Sequence, residues 1–464
     1  MPAEAEPGRI EALAATLGVE LGERVTKGEA VRSQHARDEG YRHGAGPDLV
    51  VFPRSTEEVQ FIVRSCADAA VPVVPWGAGT SLEGNAIAVA GGVVVDLSRM
   101  DRIVEVAPGD FTVRVQAGVR RKQLNRELRA TGLFFPVDPG ADATLGGMAS
   151  TRASGTTAVR YGTMRSNVVN LTVVLADGEA IRTARNAPKS AAGYDLTALF
   201  VGAEGTLGII TELTLRLHPQ PETAALVRCT FDDGEPAIEA VTAAIQLGLG
   251  VARIEFLDDR MVKAINLYQR LVLPELFTLF VEFHGSAGSV AEQLATFEEI
   301  VGAHGGTVSA TATQSEERER LWTARHDALY AARALRPGCS CLITDVCVPV
   351  SRLAECLRET RGDLDASALV STVVGHVGDG NFHALILVDP DAPADLEEAE
   401  RLHSLMARRA IALGGTCTGE HGIGIGKRAL LVEELGNAVG AMARVKAALD
   451  PAGLMNPGKI FLEG

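Results

Sequence analysis

The chain has 464 residues, 46% of them hydrophobic, and its 44 basic and 59 acidic side chains give a formal net charge of −15. This length is typical of two domains, or of one large domain with an insertion, and the apolar fraction is ample for packed cores. The acidic excess argues against nucleic acid or an anionic membrane as the main partner, because both repel an acidic surface.

The sequence contains no run of about 18 uncharged apolar residues, so we predict no transmembrane segment. Its first ten residues, MPAEAEPGRI, have neither the basic n-region nor the apolar h-region of a secretory signal. The seven cysteines follow no disulfide-framework spacing, which favours a reducing compartment. We therefore expect a cytoplasmic protein, with peripheral attachment to a membrane left open.

Residues 1–45 have a helical pattern, and residues 46–220 have a different pattern of residue types. In the second stretch, short β-branched runs alternate with glycine-rich turns, which is typical of an α+β domain. One helix is predicted from Thr56 to Ala69, with acidic residues in its first turn, and another from Arg121 to Thr131. The dipeptide Asp177-Gly178 lies between two strand-like runs and predicts a hairpin turn.

The stiff segment HPQP at 218–221 predicts a domain boundary. From 221 to 415, strands alternate with amphipathic helices that have charged outer faces, which predicts a second α+β domain. Residues 416–464 form a C-terminal segment with a glycine-rich turn and a helix that ends near Leu449.

The glycine-rich run VPVVPWGAGTSLEG follows a predicted strand and resembles the entry of a dinucleotide-binding fold. The third glycine of the Rossmann fingerprint is absent, however, because Leu82 takes its place. The segment that follows is too short and too rich in helix breakers for a crossover helix. Consecutive backbone N–H groups can instead form a nest for a diphosphate, with small or hydroxylated residues at Gly77, Gly79, Thr80, Ser81 and Gly84.

A second loop, residues 135–164, consists largely of Gly, Ala, Ser and Thr. A loop of this length rarely persists in a compact domain unless a ligand organises it. Together the two loops favour a bound nucleotide-like cofactor over ordinary connections.

The strongest chemical pattern lies in GHVGDGNFH and GTCTGEHGIGIGK. His376 ends one predicted strand and His383 begins the next, so the two imidazoles can converge across the mouth of a hairpin. With Glu420 they would form a two-histidine, one-carboxylate metal site with open positions, as catalytic metals require. His421 follows Glu420 directly and is a candidate general base.

Long strings of the sequence resemble the FAD-linked D-lactate dehydrogenases of the cytochrome type, which are vanillyl-alcohol-oxidase-like flavoproteins. The resemblance runs from about residue 30 to the C-terminus. It is carried by WGAGTSLEG, FPVDPGADATLGGMASTRASGTTAVRYGTMRSNV, KSAAGYDLTALFVGAEGTLGIITELTLRLHP, TDVCVPVSRL, GHVGDGNFH, GTCTGEHGIGIGK and LDPAGLMNPGK.

The resemblance implies an α+β fold in four parts. After the N-terminal helical segment, residues 46–220 would form a two-subdomain FAD-binding domain of the PCMH type. Residues 221–415 would form an α+β cap domain on an antiparallel sheet that carries the metal hairpin. Residues 416–464 would return to the FAD site.

The resemblance also implies a set of FAD-binding residues in the first domain and near the C-terminus. These are Pro75, Gly77, Ala78, Gly79, Thr80, Ser81, Gly84, Pro136, Asp138, Pro139, Gly140, Thr144, Gly146, Gly147, Ser150, Ser154, Gly155, Tyr161, Gly162, Glu204, Gly205, Gly208, Ile209, Ile210 and Asn456. Some relatives attach FAD through a histidine in the first loop. Thr80 and Ser81 occupy that region here, so we expect non-covalent FAD.

The resemblance further implies that His376, His383 and Glu420 bind a divalent metal, Zn or Mn, and that His421 is the catalytic base. It implies that Arg325 binds the substrate carboxylate. The D-2-hydroxyglutarate enzymes usually carry a polar residue two places after the second metal histidine, and Leu385 occupies that place here. This favours a small monocarboxylate as substrate.

The predicted activity is oxidation of D-lactate, or a similar small D-2-hydroxy acid, with hydride transfer to the flavin. The reduced flavin would pass its electrons to an external acceptor: a cytochrome, a quinone or an electron-transfer flavoprotein. A glycolate oxidase FAD subunit and a D-2-hydroxyglutarate dehydrogenase are the alternatives. The assembly state is left open, with a homodimer as one option.

Overall fold

The computed structural model describes residues 7–40, 44 and 46–462. Residues 1–6, 41–43 and 45 of the predicted N-terminal segment, and residues 463–464, lie outside the described residues. The chain divides into two compact units. The first comprises Met1–Ser154, Thr163–Pro219 and Glu420–Gly464, and the second comprises Gly155–Gly162 and Gln220–Gly419. Within the described residues, no helix is long and apolar enough to cross a membrane.

Among the residues that the structure describes, the first unit contains eleven strands, numbered here along the chain. They are β1 (Val25–Thr26), β2 (Leu49–Val51), β3 (Val73–Trp76), β4 (Val93–Asp96), β5 (Ile103–Ala107), β6 (Thr112–Gln116), β7 (Leu133–Phe134), β8 (Val168–Val174), β9 (Ala180–Arg182), β10 (Ile209–Arg216) and β11 (His218–Pro219). Its helices are α1 (Pro7–Leu21), α2 (Glu29–Gln34), α3 (Thr56–Asp68), α4 (Arg121–Glu127), α5 (Leu145–Thr151), α7 (Met164–Asn167), α8 (Leu196–Phe200), α16 (Arg428–Leu435) and α17 (Asn437–Leu449).

Two main sheets organise the first unit. A four-stranded sheet has the order β1-β2-β4-β3, and β4 pairs in parallel with both β2 and β3. The valine-rich runs of β2 and β4 are buried along their whole length, as expected for strands covered on both faces. A five-stranded antiparallel sheet has the order β5-β6-β10-β8-β9. This arrangement agrees with the predicted division of the FAD-binding domain into two subdomains.

The two helices and the hairpin predicted for this unit are confirmed, whereas the stretch predicted as a loop at 135–164 contains the helix α5. The helix expected from Thr56 to Ala69 is α3, and the Ser55 side chain caps it by accepting from the N–H of Glu58. The helix expected from Arg121 continues beyond α4 as a 3-10 turn to Thr131. The β8–β9 hairpin turns at Gly178, whose φ of +77° suits glycine.

The second unit is built on an eight-stranded antiparallel sheet, as predicted for the cap domain. Its strands are β12 (Thr223–Phe231), β13 (Val251–Leu257), β14 (Phe277–Gly285), β15 (Thr307–Ala312), β16 (Ser340–Ile343), β17 (Val346–Cys347), β18 (Ser371–His376) and β19 (Asn381–Val388). They lie in the order β15-β12-β14-β13-β18-β19-β16, and β17 also pairs with β19. Its helices are α6 (Ala158–Tyr161), α9 (Gly234–Gln246), α10 (Asp259–Gln269), α11 (Ala287–Ala303), α12 (Ser315–His326), α13 (Ala328–Ala334), α14 (Leu353–Ala366) and α15 (Pro393–Ala412).

The second unit begins at Gln220, one residue before the predicted 221–415, and differs from that range in two larger respects. It extends to Gly419, and it includes residues 155–162, which we assigned to the FAD-binding domain. The physical reason is visible at α6. Arg160 Nη1 donates to the carbonyl of Gly250 at 2.5 Å, and the Tyr161 hydroxyl lies 2.8 Å from His284 Nδ1. These contacts hold the short segment against the cap sheet.

Candidate active site

The predicted histidine hairpin is formed by β18 and β19. His376 is the last residue of β18, and His383 is the third residue of β19. The register pairs His376 with Asn381 and Val374 with His383. The two imidazole rings are 5.5 Å apart between centroids. Gly380 allows the tight turn, because its φ is +85° and an added Cβ would lie 2.0 Å from the carbonyl oxygen of Val348.

Hydrogen bonds on Nδ1 orient both rings. His383 Nδ1 is 2.9 Å from the carbonyl oxygen of Thr344, which can only accept, so Nδ1 carries the hydrogen and Nε2 the lone pair. His376 Nδ1 is 2.6 Å from Oε1 of Glu255. A histidine that donates from one nitrogen to a carbonyl or carboxylate is typical of a metal ligand, which binds through the other nitrogen.

Glu255 lies on β13 and is fully buried. Its Oε2 accepts from Arg325 Nε at 2.7 Å, while Oε1 faces His376. Burial by itself raises the pKa of a carboxyl group, but the interactions with His376 and Arg325 outweigh it, and the pKa of Glu255 is lowered. Glu255 is therefore a buried carboxylate shared by two residues that we predicted separately as site residues.

Residues 416–419 lie against the same end of the cap sheet. The backbone of Thr416 bridges to Cys347, and Thr418 Oγ1 donates to Asp345 Oδ2 at 2.7 Å. Gly419 is packed so closely that an added Cβ would lie 2.2 Å from Nδ2 of Asn381. Glu420 follows Gly419 directly in the sequence and is the first residue of the C-terminal stretch of the first unit.

The structure brings two of the three predicted metal ligands, His376 and His383, together on one hairpin of the second unit. Two imidazoles and a carboxylate are a donor set that suits a divalent transition metal and leaves positions open for substrate, so the residues present fit the predicted metal.

The segment after the predicted base is held inside the first unit by Glu204. The N–H groups of Ile423 and Gly424 donate to the Glu204 carboxylate at 2.7 and 2.8 Å, and Asn85 Nδ2 donates to it at 2.7 Å. Asn85 Nδ2 also lies 3.3 Å from the carbonyl oxygen of His421. We predicted Glu204 as a cofactor-binding residue, and its carboxylate binds the 421–424 segment and Asn85.

Two glycines among the predicted FAD residues, Gly77 and Gly205, lie where a side chain does not fit. A Cβ on Gly77 would lie 2.4 Å from Thr144 Oγ1, so the two loops meet there. Gly205 has a φ of +70°, and a Cβ on it would lie 2.3 Å from Pro75 Cγ. Glycine at both positions allows a close approach that a larger residue would block.

Two buried acceptors nearby also fit a bound cofactor. The Oδ1 atoms of Asn85 and Asn456 are buried and make no hydrogen bond with the residues that the structure describes. The Asn456 amide is held in place, since Nδ2 donates to the carbonyl oxygens of Asn85 and Glu204 at 2.8 and 2.7 Å. Buried polar atoms are rarely left without partners, so a ligand that donates hydrogen bonds suits this location.

The other predicted FAD residues fall into two groups. Most belong to the first unit: Ala78, Gly79, Thr80, Ser81, Gly84, Pro136, Asp138, Pro139, Gly140, Gly146, Gly147, Ser150, Ser154, Gly208, Ile209 and Ile210. Gly155, Tyr161 and Gly162 instead belong to the second unit.

Sequence analysis missed three residues of this region: Glu255, Asp345 and Asn85. A signal existed for Glu255, because a single carboxylate in the middle of the apolar strand β13 is costly unless it is paired. No local sequence pattern marks Asp345 or Asn85 as a site residue.

Comparison with known proteins agrees with these features. Residues 47–184 match the family described as FAD binding domain, and residues 220–460 match FAD linked oxidases, C-terminal domain. The chain is 54% identical to "Probable D-lactate dehydrogenase, mitochondrial" of Danio rerio, over 95% of this chain and 89% of that protein. It is 46% identical to "D-lactate dehydrogenase [cytochrome], mitochondrial" of Arabidopsis thaliana, over 91% and 77%.

A more distant relative is "Glycolate oxidase subunit GlcD" of Bacillus subtilis, at 36% identity over 93% of each chain. Among solved structures, 4-ethylphenol oxidase from Gulosibacter chungangensis shares the fold, with a TM-score of 0.82, 20% identity, and coverage of 99% of this chain and 98% of that one. The chain therefore belongs to the FAD-linked oxidases, the flavoprotein family that includes these D-lactate dehydrogenases.

Proposed function

We propose that this protein is a metal-dependent FAD enzyme that oxidises D-lactate, and similar small D-2-hydroxy acids, to the 2-oxo acid. The observation that carries the proposal is the pair His376 and His383 on one hairpin, with ring centroids 5.5 Å apart and each Nδ1 beside a carbonyl or carboxylate oxygen. Glu420 and His421 supply the third ligand and the base in the proposal. The names of the relatives from Danio rerio and Arabidopsis thaliana support D-lactate as the substrate.

Each predicted site residue has a proposed role in the reaction. The guanidinium of Arg325, held at Nε by Glu255, pairs with the substrate carboxylate. His421 takes the proton of the 2-hydroxyl group. His376, His383 and Glu420 would hold a divalent cation, Zn or Mn, which would supply Lewis acidity. Non-covalently bound FAD would supply the hydride acceptor, so that the alcohol would lose its hydroxyl proton to His421 and its C2 hydrogen as hydride.

The packing of Leu385 supports a small substrate. It lies two residues after His383 on β19, so the two side chains emerge on the same face of the strand. Leu385 is buried in an apolar cluster with Val374 and Trp322. A second carboxylate would be costly beside this cluster, which disfavours a dicarboxylate such as D-2-hydroxyglutarate.

The decisive experiment is anaerobic addition of D-lactate to the purified yellow protein. Bleaching of the oxidised flavin by D-lactate, but not by L-lactate, supports the proposal. A flavin that stays oxidised with every D-2-hydroxy acid tested would refute the substrate class. Acid precipitation tests the mode of binding, because non-covalent FAD is released into the supernatant.

A glycolate oxidase FAD subunit is the second candidate, favoured by the relative from Bacillus subtilis. A substrate panel with an artificial dye as acceptor separates the two. Turnover of D-lactate by the isolated chain, with little turnover of glycolate, favours the first candidate. The physiological acceptor (cytochrome, quinone or electron-transfer flavoprotein) and a homodimeric assembly remain predictions.

A further inference from the structure

Glu255 connects two functions of the proposed site through its two carboxylate oxygens. Oε1 lies 2.6 Å from Nδ1 of His376, a proposed metal ligand, and Oε2 accepts from Nε of Arg325, the proposed substrate-binding cation. All three residues belong to the second unit. The two carboxylate oxygens of Glu255 therefore contact two residues that have different proposed roles.

Burial favours a Glu255 carboxylate that keeps both of its hydrogen bonds. The residue is fully buried on β13, between two buried apolar neighbours, Ile254 and Phe256. An ionised carboxylate in such a place is stable only when its oxygens are paired. Rotation away from either partner would leave a buried charge without a hydrogen bond, so both contacts are kept together.

The contact with His376 determines how that ring can bind a metal. A carboxylate that accepts from Nδ1 keeps the hydrogen on that nitrogen and directs Nε2 toward the ion. Loss of such an outer contact typically lowers metal affinity by about 10- to 100-fold.

The contact with Arg325 determines which edge of the guanidinium can meet a substrate. Glu255 binds Nε, and the Nη atoms make no hydrogen bond with any residue that the structure describes. A guanidinium held at one edge presents its remaining donors in a fixed direction, which suits recognition of a carboxylate.

We propose that Glu255 is a positioning residue that sets the orientation of both His376 and Arg325, and so couples metal binding to substrate binding. This inference depends on the proposed function, because it uses the roles assigned there to His376 and Arg325. A merely structural ion pair would stabilise the sheet and would leave metal affinity unchanged.

The test is Glu255→Gln, which preserves shape but can accept through only one oxygen. The apoprotein is titrated with Mn²⁺, with no substrate present, and the KM for D-lactate is measured separately with a dye acceptor. We expect Mn²⁺ affinity to fall by about 10- to 100-fold. We also expect KM to rise more than kcat falls when Mn²⁺ is saturating.

Glu282→Gln is the matched control. Glu282 lies on the neighbouring strand β14, is also buried, and has a histidine partner, since His284 Nε2 is 2.6 Å from its Oε1. It also accepts from Trp322 Nε1 at 2.7 Å, but it contacts no proposed metal ligand among the described residues. We expect this variant to lose thermal stability and to keep wild-type Mn²⁺ affinity.

The experiment distinguishes failure of the inference about Glu255 from failure of the proposed function. If wild-type protein binds Mn²⁺ and Glu255→Gln binds it equally well, the inference about Glu255 fails while the proposed function stands. If wild-type protein binds Mn²⁺ but does not oxidise D-lactate, the proposed function fails. The Mn²⁺ titration of Glu255→Gln then still tests whether Glu255 orients His376 for metal binding. Should Glu255→Gln fail to fold, Glu255→Asp keeps the charge but shortens its reach, and wild-type affinity in that variant would overturn the inference.

Discussion

The carboxylate of Glu204 accepts a hydrogen bond from the backbone N–H of Ile423 at 2.7 Å, across 219 residues of sequence. Ile423 is two residues beyond His421, so this contact fixes the chain next to the proposed base. An added Cβ on Gly422 would lie 2.8 Å from the same Glu204 oxygen, which shows how tightly the segment is packed.

Replacement of Glu204 by Gln should loosen the 421–424 segment. Three N–H donors point at the two carboxylate oxygens, and the amide of Gln would direct its own N–H group at one of them. We expect a loss of about 1–3 kcal/mol in the free energy of unfolding. Faster hydrogen exchange at Ile423 and Gly424, measured by mass spectrometry, would accompany it.

The control for that experiment is Glu179→Gln, which changes an exposed carboxylate at the β8–β9 turn. It should leave both the free energy of unfolding and the exchange rates unchanged. Wild-type exchange at Ile423 in Glu204→Gln would contradict the role of Glu204.

Replacement of His421 by Ala should lower kcat for D-lactate by about 100-fold or more, because the proton acceptor is lost. The flavin content should stay at the wild-type level, since His421 is not among the predicted FAD residues. Absorbance of bound flavin and steady-state kinetics with a dye acceptor measure the two quantities. His304→Ala, at the end of α11, is the control; turnover of His421→Ala close to that of the control would remove His421 as the base.

Removal of the metal should abolish D-lactate oxidation and leave FAD bound. The proposed ligands lie on the β18–β19 hairpin and at Glu420, whereas most predicted FAD residues lie in the first unit. Dialysis against a chelator, followed by metal analysis and a flavin spectrum, tests this. Activity should return with Zn²⁺ or Mn²⁺, and full activity in metal-free protein would make the histidine pair structural.

Protein stability should fall at acid pH partly because of Glu282. Burial alone would raise the pKa of this carboxyl group, but hydrogen bonds from His284 and Trp322 and the charge of Arg253 lower it to about 2. The pKa in the unfolded chain is near 4.5, so the folded state binds the proton more weakly. The stabilisation, roughly 3 kcal/mol, is present above pH 4.5 and is lost as the pH falls toward 2.

Urea unfolding of wild type and Glu282→Gln at several pH values measures this contribution. The difference between the two proteins should be large at pH 6 and should shrink steadily below pH 4.5. A difference that does not change with pH would mean that Glu282 is not ionised in the folded protein.

The amino-acid sequence by itself determined the elements whose formation depends on near neighbours. The helix α3 follows from its cap at Ser55 and its apolar spacing, and the turn at Gly178 follows from a backbone that favours glycine. The hairpin that carries His376 and His383 was predictable for the same reason, because two β-branched runs flank a short glycine-rich turn.

Only the tertiary structure decided which distant residues share the site. Glu255 and His376 are 121 residues apart and meet because β13 and β18 are neighbours in the cap sheet. Strand order depends on the packing of the whole sheet, and no short segment encodes it. The same reason explains why Glu204 binds the chain beside His421, and why residues 155–162 pack with the cap unit. Each contact joins elements that are far apart in the sequence, so it depends on the tertiary fold.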